Sequence, residues 1–357
     1  MASNDSSSGA GRLAVIATWV HRHFLWLLVG SYVLAGLIPG PGLAIRRLSL
    51  TRTSGDEVTA PLMLLALLLF CAAAVVRWSQ VRDLMQRPGI LLLGLVAIWI
   101  VPGVFVSLLG WILPKVLGEY VTTGMMVGLA LVAAMPVANS SVAWCQNARG
   151  NVALGLGLIV LTIVLSPLAT PQMLNLMGLA LSEQETAQCE QLVTRFSGTF
   201  FIVWVILPSV AGMAFNRLVG AAWIDRSRGS LRLISAATML TLNYANASLA
   251  ANERVFEDEG AKAIVVSAIL AVALSLLGFL SAWLLSQILQ PGRNSWIALL
   301  FGFSMKHTGL ALVLAGEVLQ EQPRVIMMIV LATLLQHIVA GVADWYLVRY
   351  GHGVHEE

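Results

Sequence analysis

Apolar runs of about twenty residues alternate with short polar breaks along this chain, and a helix needs runs of that length to cross a bilayer. The pattern predicts helices at 24–44, 59–76, 89–109, 121–147, 152–170, 198–216, 231–250, 261–290, 295–316 and 325–348. Pro102 and Pro208 fall inside the third and sixth and are expected to kink them. The first run follows Arg12, His21 and Arg22 much as a signal peptide would, but it is long for a signal h-region and is read as helix 1.

Two of the ten runs are interrupted near their middles. In the fourth, Pro136 is followed by Asn139, Ser140 and Ser141; in the ninth, the polar stretch Ser304, Met305, Lys306, His307 and Thr308 sits between apolar halves. Irregular backbone at membrane depth is tolerated only where it is buried in protein or lines a watery cavity. A pair of interrupted helices in matching places of two chain halves marks the binding site of a secondary transporter. Five helices per half, an odd number, set the halves in opposite orientations. The expected fold is therefore all-α and polytopic: ten transmembrane helices in a 5+5 inverted repeat with broken, crossing helices 4 and 9. No sequence identity between the halves accompanies this pattern.

The expected organisation is a disordered or interfacial N-terminus at 1–23, a first repeat at 24–170, a polar connection at 171–197, a second repeat at 198–348 and a tail at 349–357. With 58% hydrophobic and only 11% charged residues, and a mean hydropathy of +0.83, the chain falls outside the soluble class. A net charge of +3 spread over loops points to no nucleic-acid partner; the lipid bilayer is the partner that composition implies. With both termini cytoplasmic, twelve Lys and Arg residues, among them Arg77, Arg82, Arg149 and Arg293, fall on the cytoplasmic side against eight outside, which favours that orientation in a cell membrane. Arg46 and Arg47 vote the other way. Cys71, Cys145 and Cys189 lack metal-ligand spacing and read as packing residues. No His-Glu-x-x-His site, nucleophile elbow or phosphate loop is present, so no enzymatic chemistry is expected.

Several blocks resemble the bile acid:sodium symporter family of organic-anion carriers. They are Arg82-Asp83-Leu84 through Arg87-Pro88 and on to Pro102, then Ala148-Arg149-Gly150-Asn151-Val152-Ala153-Leu154. Leu165-Ser166-Pro167-Leu168-Ala169-Thr170-Pro171 and Thr308-Gly309-Leu310-Ala311 follow in the family's order. The resemblance implies a core containing helices 4 and 9 that moves against a panel of helices 1, 2, 6 and 7. It also implies sodium ligands, and here the chain departs from the pattern. Positions matching the family's helix 4 ligand run are Val137, Ala138, Ser141 and Val142, of which only the serine keeps its side chain. The helix 5 hydroxyls become Gly155 and Ile159, and the helix 3 glutamine falls at Ala97 or Ile98. On helix 9 the carboxylate becomes Gly302 and the glutamine becomes Lys306. A hard cation needs several oxygen ligands, and an ammonium at about 4 Å repels it by about 4 kcal/mol at an effective dielectric of about 20. The sodium sites are expected to be absent, leaving no cofactor.

A lysine at mid-membrane costs about 2.5–3.5 kcal/mol and normally faces a partner or a cavity. The expected function is alternating-access transport of a small organic anion, with Lys306 as a fixed counter-charge and transport either sodium-independent or proton-linked. Asn139, Ser140, Ser141, Met305, Lys306, His307 and Thr308 are the expected substrate-binding residues. Against this stand a structural ion pair between Lys306 and Asp344, and histidines that only tie helices together. Asn243, Tyr244 and Asn246 fit either a cavity lining or a lock between helices. Two other functions remain open: sodium-coupled symport with altered ligands, and a non-transporting sensor or binding protein on a carrier fold. Substrate identity and oligomeric state are not encoded legibly.

Overall fold

The computed structural model describes residues 16–17, 19–20, 23–53, 56–76, 82, 88–118, 123–197, 199–252, 261–319 and 322–350. Most of the 1–23 segment, most of the block from Arg82 to Arg87 and the tail beyond 350 lie outside the described residues. The chain is a predominantly helical, polytopic membrane protein. Leu92–Leu117, Val152–Gly178, Thr199–Val219, Ala261–Leu289 and Pro323–Arg349 are each long and apolar enough to cross a bilayer, and a bent pair at the N-terminal end makes a sixth candidate.

The chain divides into two compact units, one of Met1–Arg77 with Ile202–Asn252 and the other of Trp78–Phe201 with Glu253–Glu357. In the first, α1 (Phe24–Leu37) and α2 (Pro39–Arg47) meet at 93°, so the single helix expected at 24–44 is a bent pair. The cause is local: Pro39 opens α2 and disfavours helical backbone at the residue before it, and Ile38 is non-helical. Tyr244 Oη donates to the carbonyl of Ile38 over 2.6 Å, satisfying an acceptor the bend exposes. Strands β1 (Ser49–Thr53) and β2 (Asp56–Thr59) form a small antiparallel hairpin, a departure from an all-helical chain. Helix α3 (Ala60–Ala74) follows.

The remainder of this unit is a π-helical turn at Ile202–Ile206, α11 (Leu207–Val219) and α12 (Ala221–Asn252), numbered after the helices of the other unit given below. Cys71 and Ala74 of α3 pack with Ile224 and Leu231 of α12. α11 lies so close to α3 that a Cβ on Gly212 would stand 2.4 Å from the carbonyl oxygen of Phe70, the small-residue contact typical of membrane helices. Asn246 is fully buried and its Oδ1 accepts from Arg46, which lies within α2 and not in a loop. Tyr244 and Asn246 therefore act as helix locks.

The second unit contains α4 (Pro88–Leu95), a π-helical turn at Val96–Ile100 and α5 (Val101–Leu117), then α6 (Met125–Ala134), α7 (Ser140–Asn147), α8 (Val152–Gly178), α9 (Glu183–Ser197) and α10 (Thr199–Phe201). It continues with α13 (Ala261–Leu289), α14 (Arg293–Ser304), α15 (Thr308–Val318) and α16 (Pro323–Tyr350). All ten residues of α6 are buried. The stretch expected as a polar connection is largely helical. Glu183 and Glu185 begin α9 and Arg195 lies near its end, in the order that complements a helix dipole. Glu185 Oε1 accepts from Gly124 N over 3.1 Å and its Oε2 from Ser182 Oγ over 2.8 Å, so a buried carboxylate anchors the start of α6.

Candidate functional site

The interruptions between α6 and α7 and between α14 and α15 lie side by side. Val137 and Lys306 form an isolated antiparallel bridge. Ala138 N donates to Met305 O over 3.0 Å, and His307 N donates to Pro136 O over 2.9 Å. Each break thus supplies the backbone partner that the other lost by leaving the helix. Neighbouring helices come close enough to seal the junction: a Cβ on Gly278 of α13 would stand 2.5 Å from Phe303 O.

The remaining backbone groups find side chains. The Ala134 carbonyl, which would otherwise accept from residue 138, takes Trp99 Nε1 at 3.0 Å and Thr170 Oγ1 at 2.8 Å. Val137 N donates to Thr162 Oγ1 over 3.2 Å. On the other side, Gln336 of α16 grips Lys306 at both backbone groups, accepting from its N–H at 3.0 Å and donating to its carbonyl at 3.2 Å. The same amide reaches Thr308 Oγ1 at 3.2 Å. Buried backbone groups in an apolar medium require such partners.

Lys306 is 3% exposed, and its Nζ donates to the carbonyls of Ile98 and, at 3.4 Å, of Met135. Both acceptors are set free by the backbone itself. Met135 lies in the break, and Ile98 precedes by four residues a proline, Pro102, which has no N–H to offer. The ammonium makes no ion pair among the described residues. Asp344 instead accepts from Asn147 Nδ2, so the alternative of a Lys306–Asp344 pair does not form.

Carbonyl ends at the junction are thus satisfied by the protein's own donors, while on the other side donors are left over. α7 and α15 both begin here, and helix N-termini carry partial positive charge. His307 caps α15 by accepting Leu310 N at Nδ1 over 3.1 Å, so its ring proton sits on Nε2, and that buried nitrogen has no partner. The side-chain amide of Asn139 and the hydroxyl of Ser140 are also buried without partners. The junction combines a carboxylate-free ammonium, two helix N-termini and the unpaired donors His307 Nε2, Asn139 Nδ2 and Ser140 Oγ, with Asn139 Oδ1 as an unpaired acceptor.

A family model described as the SBF-like CPA transporter family matches residues 22–351. The chain belongs to the SBF-like CPA transporter family. It is 25% identical over 297 residues to the uncharacterized protein YbaS of Bacillus subtilis (strain 168), a match covering 83% of this chain and 91% of that one. It is also 24% identical over 204 residues to the uncharacterized protein PA2026 of Pseudomonas aeruginosa, covering 57% and 59% respectively. Membership makes the protein a membrane transporter, in keeping with its apolar helices.

The family-like blocks acquire physical reasons in this member of the SBF-like CPA transporter family. At Ala148–Leu154, α7 ends in a Schellman motif: Gly150 N donates to Cys145 O at 2.7 Å and Arg149 N to Gln146 O at 3.2 Å, with Arg149 left-handed at φ 60. Asn151 then caps α8, its side chain accepting Leu154 N at 3.1 Å, while its own N–H holds Asn294 O at 2.8 Å. In the second block Thr170 reaches the Ala134 carbonyl across helices, and Ser166 Oγ donates at 2.8 Å to Ile163 O, the acceptor that Pro167 leaves free.

Of the residues singled out in sequence, Asn139, Ser140, Ser141, Met305, Lys306, His307 and Thr308 all lie at the paired breaks. Met305 contributes its backbone carbonyl, and Thr308 is tied to Gln336. His337 bonds the carbonyl of Thr333 on its own helix at 2.7 Å. Sequence reasoning missed Gln336, Thr162, Thr170 and the Ile98 carbonyl. The signal for the last was the proline four residues on; for Gln336 it was an amide inside an otherwise apolar run. Trp99, also not singled out in the sequence, is buried and bonded to the break.

Proposed function

We propose that the protein carries a small organic anion across a cell membrane by alternating access, without sodium. The reading includes ten spans in two inverted five-helix repeats and both termini in the cytoplasm. In this reading Lys306 is the fixed counter-charge, and Asn139, Ser140, Ser141, Met305, His307 and Thr308 surround the anion's acidic group. The observation that carries it is the imbalance at the paired breaks. The backbone carbonyls of Ala134, Met135, Pro136, Met305 and Lys306 there are satisfied internally, whereas an ammonium with no carboxylate and the partnerless donors His307 Nε2–H, Asn139 Nδ2 and Ser140 Oγ remain, beside one unpaired acceptor, Asn139 Oδ1. Such a surplus suits an oxyanion, which accepts several hydrogen bonds and neutralises the charge. The antiparallel bridge of Val137 and Lys306 supports equivalent roles for the two broken helices, as an inverted repeat requires. The two compact units contain the helices expected for panel and core, which supports a carrier with two moving parts.

The test is thermal stabilisation of the purified full-length protein by a panel of carboxylates and sulfonates, with sodium or choline as the sole cation. Equal stabilisation in both cations that disappears in Lys306→Ala supports the reading. Stabilisation that requires sodium returns the protein to sodium-coupled symport, and stabilisation that survives Lys306→Ala removes the counter-charge. Anion binding with no flux in proteoliposomes makes it a sensor or binding protein.

A further inference from the structure

A second ionisable group lies buried in α16, apart from the paired breaks. Asp344 is 7% exposed; its Oδ2 accepts from Asn147 Nδ2, the last residue of α7, while its Oδ1 is buried with no hydrogen-bond partner. α6, α7, α13, α14 and α15 pack against α16. Their titratable and charged groups are Cys145 on α7, Lys262 on α13, Arg293 on α14, and Glu317 with the cap His307 on α15; α6 has none. Among the residues whose side chains are described, α16 itself carries Arg324, His337, Tyr346 and Arg349, the last over the Trp345 ring. Arg149, just past α7, is exposed. None of these bonds to Asp344.

An ionised carboxylate offers about four acceptor positions, and stripping its water costs several kcal/mol unless a cation or several donors replace it. One amide is too little. The buried arrangement suits the neutral acid, which has a single O–H to place. Ionisation then demands water at Oδ1, which is buried beside the exposed Asn147, and a shift of the Asn147 end of α7 away from α16 admits it. The other end of α7, at Ser140, begins at the paired breaks, so the proton and the half-helix are thermodynamically linked.

We propose that Asp344 is a proton-binding site that latches α7 to α16 while protonated and releases it when the proton leaves for water. The O–H bond of the acid breaks, water takes the proton, and the carboxylate is hydrated in the opened gap; reprotonation closes it. Its use as a coupling device rests on the transporter reading above, but the latch is measurable without any substrate.

The experiment is pH-titrated infrared difference spectroscopy and hydrogen exchange on the full chain in nanodiscs, for the native protein, Asp344→Asn and Asn147→Leu. A protonated carboxylic C=O band that titrates in the native protein is expected to vanish in Asp344→Asn. Protection factors over 140–147, normalised for intrinsic exchange, are expected to fall by up to about tenfold per pH unit in the native protein, the slope for one proton released per opening. They are expected to stay flat in Asp344→Asn. Asn147→Leu, which removes the bond that joins α7 to the carboxyl group in the closed state, is expected to lower protection over 140–147 at every pH, so that a given protection is reached at lower pH, with the fold intact. A band unchanged by Asp344→Asn, or a protection profile superimposable on the native one, overturns the proposal. Either result leaves the anion assay above unaffected, so the two readings fail separately.

Discussion

Lys306 Nζ donates to the carbonyl oxygen of Ile98, and Ile98 stands four residues before Pro102 in the next turn of its helix. The missing N–H of a proline in one helix thereby prepares a place for the ammonium of another. If that is why Lys306 sits where it does, the two residues must be energetically coupled. In Lys306→Met the Ile98 carbonyl loses its donor; adding Pro102→Ala offers it a backbone N–H. A double-mutant cycle on unfolding in mixed micelles is expected to give about 1–3 kcal/mol of coupling in favour of the double variant, the cost of one unsatisfied buried acceptor. Additivity to within about 0.5 kcal/mol would break the link.

Thr162 is fully buried and holds the Val137 N–H at 3.2 Å while its own hydroxyl donates to Ile159 O at 3.1 Å. Thr162→Val keeps the shape and deletes the acceptor, so it is expected to destabilise the protein by about 1–3 kcal/mol, whereas Thr162→Ser is expected to keep most of that. Equal losses for Val and Ser would assign Thr162 to packing and not to the break.

The interruptions themselves were legible in sequence because proline, asparagine, serine and lysine at membrane depth conflict with a continuous lipid-facing helix. What closes the interruptions was less visible. Gln336, Thr162 and Thr170 are single polar side chains in long apolar runs, a common feature of packed membrane helices. The Ile98 acceptor is a backbone atom that composition cannot mark. The bend at Ile38 was present as Pro39-Gly40-Pro41-Gly42, but continuous hydropathy across 24–44 hid it. α9 was masked by its acidic residues, whose placement in the first turn is itself a helix signal. A Lys306–Asp344 pair was an alternative that the sequence left open, because both are charges in neighbouring runs; spatially, each found an uncharged partner.

Helix contact at the junction predicts a contrast between two glycines. A Cβ on Gly278 would stand 2.5 Å from both Phe303 O and Ser304 Cα, backbone atoms of the last turn before the break. Gly278→Ala is expected to cost about 1–3 kcal/mol, because backbone has to shift to admit it. Gly30, also helical, has nothing within 4 Å of its added Cβ. Gly30→Ala is expected to be neutral or to gain up to about 1 kcal/mol from helix propensity. Thermal unfolding of the two variants side by side checks the contrast, and equal effects would mean that α13 does not press on the junction.

Arg149 gives the opposite kind of test, a stabilising change. It occupies the left-handed position of the motif that ends α7, at φ 60, and its side chain is exposed. A side chain with a Cβ pays about 1–2 kcal/mol in that region, which glycine avoids. Arg149→Gly is therefore expected to raise stability by about 1 kcal/mol, with part of the gain offset by the freedom glycine adds to the unfolded chain. Arg149→Val, β-branched, is expected to lower it by at least as much. If Arg149→Gly instead destabilises, the guanidinium is making an interaction stronger than the strain. Insertion orientation, read by accessibility of an engineered terminal tag, would then show whether that interaction is the arginine's vote for the cytoplasmic side.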